Sequence, residues 1–412
     1  MPSSLFAGVE LAPRDPILGL NEQFATDARA DKVNLGVGVY FDDEGRLPVL
    51  ACVAEAERQL LASPKPKGYL PIDGIAAYDQ AVQGLVFGQH ASGRALLEAR
   101  RVATVQALGG TGGLKLGADL LRRIDPAATV LISDPSWENH RALFTNAGFA
   151  VQSYPYYDTA TRGVRFEAML EALHTAARGS IVVLHACCHN PTGCDLTAAQ
   201  WQQVAEACCT RGLVPFLDMA YQGFGDGIAE DGTAVRLFAE SGQDFLVATS
   251  FSKSFSLYGE RVGALSVVAR DADEAARVLS QLKVLIRTNY SNPPTFGATL
   301  VATVLGTPAL RRQWEDELAG MRGRIRSMRE TLVARLRGAG VPGDLDYVTR
   351  QKGMFSYTGL TAAQMQRLRS EFGVYGVDSG RICVAALNSR NIERVARAIA
   401  AVIARPDSAG SA

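Results

Sequence analysis

Between about residue 100 and residue 270, short apolar runs alternate with stretches of helical periodicity. The runs are Val102–Leu108, 130–133, Ile181–His185, 213–217, 245–248 and 264–268. Each is apolar at nearly every position, as a strand buried on both faces must be. Helical patterns separate them at 114–123, Ala198–Arg211 and 234–241. Strand–helix alternation predicts crossover connections and a largely parallel sheet covered by helices on both faces. Ligands of such sheets gather at the carboxyl ends of the strands. Thr111, Trp137, Asn190, Asp218, Tyr221 and Lys253 all follow predicted strands and are expected just past those ends.

Outside this block, Ala51–Ala62 reads as a helix with one apolar stripe. Residues 308–340 read as one long helix. In it Leu310, Trp314, Leu318, Met321, Ile325, Met328, Leu332 and Leu336 recur every three or four positions, and Gly338 and Gly340 mark its end. It is expected to be a spine joining a large domain to a smaller C-terminal one. Residues 1–14, with Pro2 and Pro13, read as an extended arm, and the chain after Arg405 as a loose tail. Gly36 and Gly38 permit close backbone approach, to a substrate or in a tight turn.

Composition narrows the class without naming it. A chain of 412 residues exceeds one simple core, so two domains are expected. Hydrophobic content of 47%, charged content of 20% and zero net charge describe an ordinary globular protein and invite neither nucleic acid nor an anionic membrane. No secretory leader and no membrane span is expected. Seven cysteines, including the neighbours Cys187-Cys188 and Cys208-Cys209, do not suggest a disulfide framework, so a reducing cytoplasm is expected. A metal site from Cys187, Cys188, His189 and Cys194 lacks ligand spacing, and no metal is expected.

The candidate chemistry centres on Lys253, delivered by an apolar run into Thr249, Ser250, Ser252 and Ser254. Desolvation and a nearby cation lower a lysine pKa, as condensation with an aldehyde requires. Asp218 and Tyr221 end another apolar run. The glycine run 109–113 lies between a predicted strand and a predicted helix, which places backbone N–H groups and the Thr111 hydroxyl at a helix N-terminus, a ready anion site. Ser250 and Arg261 add a hydroxyl and a cationic fork. The run is neither a dinucleotide fingerprint nor a Walker A loop. Ser250-Phe251-Ser252-Lys253 fits S-x-x-K, but the companion triplets of that acyl-transfer signature are missing.

Asp218, Tyr221 and Lys253, with His189-Asn190-Pro191-Thr192-Gly193 before them and Ser379-Gly380-Arg381 after, resemble the pyridoxal-phosphate aminotransferases of fold type I, in the aspartate/aromatic amino acid group. The resemblance covers nearly the full length. It implies an α/β fold with an arm at 1–14, a small domain from 15–46 and 315–412, and a large cofactor-binding domain at 47–314. It also implies that Lys253 condenses with the cofactor aldehyde and then carries a proton. Asp218 would pair with the pyridine nitrogen, with His140 behind it, and Tyr221 and Asn190 would bond the ring's phenolic oxygen. Trp137 would stack on the ring. Gly110, Thr111, Ser250 and Arg261 would hold the phosphate, joined by Tyr69 from a partner subunit. Gly109 stands where the family often has serine. Arg381 would take the substrate α-carboxylate, near Gly38, Asn190 and Trp137, and Arg287 of a partner subunit would take a side-chain carboxylate. A homodimer with shared active sites follows. For the substrate, 353–360, 371–375, Phe41 and Leu47 resemble the aromatic branch, whereas Thr111 and Asn292 resemble the aspartate branch. The expected reaction passes the amino group of phenylalanine, tyrosine, aspartate or glutamate to a 2-oxo acid, with aspartate alone as the alternative.

Overall fold

The structure, a computed structural model, describes residues 4–12 and 16–404. The expected tail after Arg405 lies outside the described residues, as do 1–3 and 13–15 of the chain's start.

Seven strands form the central sheet: β1 (Val102–Leu108), β2 (Thr129–Asp134), β3 (Ala150–Pro155), β4 (Ile181–His185), β5 (Val214–Met219), β6 (Phe245–Ser250) and β7 (Val262–Val268). Their order is β1-β7-β6-β5-β4-β2-β3. The block from β6 to β3 is parallel. Only β7 runs against its neighbours, with Val262 opposite Leu108 and Gly263 opposite Ser250. Every residue of β4, β6 and β7 is buried, which explains their largely apolar sequences, broken only by His185, Thr249, Ser250 and Ser266. Edge strand β3 has one buried residue, Tyr154, and sequence periodicity gave no sign of it. Several expected ends move: the strand expected at 130–133 spans Thr129–Asp134, and that expected at 264–268 begins at Val262. The strand expected at 213–217 runs on through Asp218 to Met219, and that expected at 245–248 runs to Ser250. Asp218 therefore lies inside a strand and not past its end; its carboxylate is accommodated there by histidines.

Helix α1 (Gly109–Ile124) starts directly after β1. It packs closely on the sheet because Gly113 and Gly117 carry no side chain. A Cβ on Gly113 would stand 2.7 Å from the Ala264 carbonyl oxygen, and one on Gly117 would stand 2.3 Å from the Phe216 ring. Helix α2 (Ala198–Arg211) opens with a capping box between Thr197 and Gln200 and closes on Gly212 at φ 64°. Helix α3 (Ala272–Asn289) is capped by Asp271, which accepts from the Glu274 N–H at 2.8 Å.

The long helix α4 spans Pro308–Gly338, two residues shorter than expected. Its inward stripe includes Leu310, Trp314, Leu318, Met321, Ile325, Leu332 and Leu336. Met328 is only partly buried, and Arg329 takes the inward place instead. Trp314 stacks on Phe255 at 4.8 Å and donates from Nε1 to the Ser254 carbonyl at 2.7 Å. Beside α4, Val33–Asn34 pairs in parallel with Val374–Tyr375, and Phe355–Tyr357 pairs antiparallel with Arg381–Cys383. Residues 4–12 lie on the surface, with Leu5 and Leu11 87% and 99% exposed. Among the described residues, no helix is long and apolar enough to cross a membrane.

Candidate active site

Strand ends and two loops converge on one cavity of about 250 Å³. Its walls bring together Gly38, Gly110, Thr111, Trp137, Asn190, Asp218, Tyr221, Ser250, Lys253, Arg261 and Arg381. Tyr69 and Arg287 do not reach it. Tyr69 is 97% exposed, and exposed Arg287 hydrogen-bonds Ser291. Neither Phe41 nor Leu47 lines the cavity; Phe41 packs against the core and Leu47 is exposed.

Lys253 lies in the turn after β6 and is half-buried. Its Nζ stands 5.0 Å from the centroid of the Tyr221 ring. Burial lowers its pKa to about 8; Asp218 opposes this, and the charges of Arg261 and Arg381 reinforce it. A free amine is therefore accessible near neutral pH. Asp218, at the end of β5, lies 2.9 Å from His140 Nε2, whose Nδ1 lies 2.9 Å from Ser136 Oγ. Burial pushes the Asp218 carboxyl up, but the His140 hydrogen bond and the nearby His140, His185 and Lys253 outweigh it and hold it below the usual range. The carboxylate stays ionised in a buried place, which suits a cationic ring nitrogen.

The anion end is built by the first turn of α1 and the loop between β6 and β7. Gly109 sits at φ 70°, and a Cβ on it would lie 2.6 Å from Arg261 Nη2. A side chain there would displace the arginine, so glycine suits this position better than the serine expected from the resemblance. Gly110 similarly leaves room for Ser250, whose Cβ would be 3.1 Å from an added Cβ. Arg261 Nη1 donates to the Tyr258 carbonyl at 2.8 Å and approaches Ser252 Oγ at 3.5 Å.

At the opposite end, Arg381 is 1% exposed. Its Nη1 donates to Asn190 Oδ1 at 3.2 Å and its Nη2 to the Gly36 carbonyl at 2.9 Å. Its buried Nε has no partner among the described residues. The guanidinium lies 4.5 Å from the Phe355 ring centroid. A buried fork with an unused donor is ready for a carboxylate.

Ser252, from the hydroxyl cluster, and Phe355, from the 353–360 segment, also line the cavity. Tyr258 and His185 line it too and escaped sequence reasoning. Tyr258 Oη accepts from the Tyr40 N–H at 2.9 Å, and its nearness to Lys253 in the chain was the sole clue. Burial lowers the His185 pKa to about 3, with His140 adding to it, and neither ring nitrogen has a partner among the described residues. The cysteine-rich turn assembles differently from the set considered. His189 is engaged by Ser133 and Thr192, each at 2.9 Å, while Asp231 approaches Cys187 and Cys188. The Asp231 oxygens already accept N–H groups of Gly223, Gly225 and Asp226 at 2.8–2.9 Å.

An amine that can lose its proton, facing a fixed carboxylate and a carboxylate-binding fork, suits exchange of an amino group for a carbonyl oxygen, and the surrounding α/β fold is one that transferases use. The profile of the aminotransferase class I and II family matches residues 30–399, and the chain belongs to that family. An aspartate aminotransferase of Pseudomonas aeruginosa is 61% identical over 97% of this chain and 100% of its own length. The aromatic-amino-acid aminotransferase of Escherichia coli is 53% identical over the same shares. In three dimensions the chain is similar to an aromatic-amino-acid aminotransferase from Burkholderia pseudomallei, solved covalently bound to pyridoxal phosphate. That pair shares 62% identity and a TM-score of 0.95 over 97% of this chain and 100% of the other. The cytoplasmic aspartate aminotransferase of Saccharomyces cerevisiae matches with a TM-score of 0.94 at 39% identity, over 97% and 98%.

Proposed function

We propose that this aminotransferase uses pyridoxal phosphate to pass the amino group of phenylalanine, tyrosine, aspartate or glutamate to a 2-oxo acid such as 2-oxoglutarate. The observation that carries the reading is the Lys253 amine, lowered to about 8, in one cavity with ionised Asp218 and the Arg381 fork. The residues fit the cofactor. The α1 N-terminus with Thr111, Ser250 and Arg261 suits a phosphate, and Asp218 suits a protonated pyridine nitrogen.

When bound, pyridoxal phosphate supplies an electron sink that makes a substrate Cα–H bond acidic. Asp218, fixed by His140, would hold the ring nitrogen charged. Tyr221 and Asn190 would hydrogen-bond the ring's phenolic oxygen, and Trp137 would stack on the ring. Arg381 orients the substrate by its α-carboxylate, with Gly38 leaving room beside it. Lys253 moves the proton at Cα, as an amine of pKa near the working pH can.

The exposure of Tyr69 and Arg287 supports a homodimer in which each site is completed by these two residues of a partner copy. We assign 15–46 and 315–412 to a small domain, 47–314 to a large one, and 1–14 to an arm. Seven free cysteines suit a reducing cytoplasm. Aspartate restriction is the second reading, favoured by Thr111 in the cavity wall.

Purified enzyme loaded with pyridoxal phosphate should absorb in the visible and be bleached by borohydride. Glutamate should remove that absorbance, as should aspartate, phenylalanine and tyrosine. No bleaching by borohydride would reject the function. Response to aspartate and glutamate alone would select the second reading.

A further inference from the structure

Arg329 of α4 is 2% exposed and forms no ion pair among the described residues. Buried arginines ordinarily face a carboxylate. This one faces backbone. Nη1 donates to the Val348 carbonyl at 3.0 Å, and Nη2 to the carbonyls of Lys352 (3.4 Å), Gly353 (2.9 Å) and Phe355. Four carbonyls of one loop thus point at a single cation. Burial lowers its pKa to about 10, because removal from water disfavours the charged form.

That loop touches the substrate side of the cavity at three points. The Phe355 ring lies under Arg381, 4.5 Å from the guanidinium carbon, and meets the Tyr221 ring edge-on at 6.0 Å. Tyr357, two residues on, pairs with Arg381 itself across the two-stranded ladder. The Lys352 N–H donates to the Gly193 carbonyl at 2.7 Å, which ties the loop to the turn carrying Asn190. Asn190 in turn accepts from Arg381. Towards Lys253 the loop reaches only by ring contacts, through Phe355 and Tyr221, whose centroid lies 5.0 Å from Nζ, and among the described residues Arg329 has no hydrogen bond to Lys253 or Asp218.

We propose that Arg329 is a positioning residue for substrate carboxylate recognition: by gathering the carbonyls of residues 348, 352, 353 and 355 it fixes Phe355, and through it the Arg381 fork. A planar guanidinium offers five donors in fixed directions, whereas a lysine ammonium offers three on a flexible stem and cannot hold the same four-carbonyl arrangement. This rests on the proposed function only in taking the ligand to be a carboxylate.

The test uses the enzyme loaded with its cofactor, as Arg329→Lys and Arg329→Gln. Two probes without an amino group, maleate and 3-phenylpropionate, are titrated by absorbance to give Kd. KM and kcat for glutamate are measured alongside. Arg329→Lys should raise Kd and KM about tenfold, since small misplacement of a binding group is enough for that. Its kcat should stay within about threefold of wild type, because the lost interaction is made equally before and during reaction. Unchanged Kd in both variants overturns the proposal, as does a fall in kcat that matches the rise in KM. Phe355→Leu keeps the test open should the arginine variants not fold: it should raise Kd for both probes, and an unchanged Kd overturns the proposal. Wild-type enzyme that binds neither probe would instead sink the proposed function, a result distinct from wild-type binding with unaffected variants.

Discussion

The two ends of the cavity are built differently. The Lys253–Asp218 end stands on the central sheet: Asp218 belongs to β5, Lys253 follows β6, and the two strands pair in register. The Arg381 end stands on short ladders and loops drawn from the chain's two extremities, held by arginines that donate to carbonyls. Arg329 does this for the Phe355 loop. Arg324 does it for Phe41, Ala385 and Leu387. The first end is fixed by strand pairing and a filled core. The second depends on a few donor–acceptor contacts. Chemistry that needs an unmoving amine is placed on the first, and recognition that must admit and release substrate on the second.

Substitutions can break this division. Lys253→Ala should lower kcat by roughly 10⁴-fold in steady-state assays, since it removes the proton-carrying group. If half-reactions with glutamate continue at the wild-type rate, the sheet-borne end does not hold the chemistry. Arg381→Leu should cost roughly 2–5 kcal/mol in kcat/KM by stranding a substrate carboxylate, with KM carrying much of the change. An unchanged KM would erase the contrast between the ends. His140→Ala should reduce kcat about tenfold by loosening Asp218, while KM for glutamate holds. The gentlest probe is pH. Only the unprotonated amine attacks an aldehyde, and burial lowers Lys253 from 10.5 to about 8. Capture of pyridoxal phosphate by cofactor-free protein should therefore quicken about tenfold per pH unit below about 8 and level off above it. In Asp218→Asn the carboxylate that favours the protonated amine is gone, and the levelling point should move to lower pH.

The same division governs what could be read from the residues alone. Strands β1 and β4 were legible to the residue, because double-sided burial writes a run in which polar residues are few. Lys253, Asp218 and the glycine turn were legible because strand ends locate a parallel-sheet site. Asp218 cut its own strand short on paper, since a carboxylate reads as a turn when its histidine neighbours cannot be seen. Strand β3 hid because an edge strand needs little apolar sequence. Arg329 hid in plain view. On α4 the stripe was continued through Met328, an apolar residue at acceptable spacing, while the inward position held an arginine whose partners are backbone atoms up to 26 residues away. Backbone carbonyls have no letter in a sequence, so contacts made to them leave no pattern.

Because β7 lies directly beside β6 in opposite direction, the segment between Ser250 and Val262 is pinned at both feet, with Gly263 opposite Ser250. Lys253 and Arg261 ride on the same closed loop. An amine on such a mooring has little room to drift, and the backbone that carries it offers each turnover the same starting place.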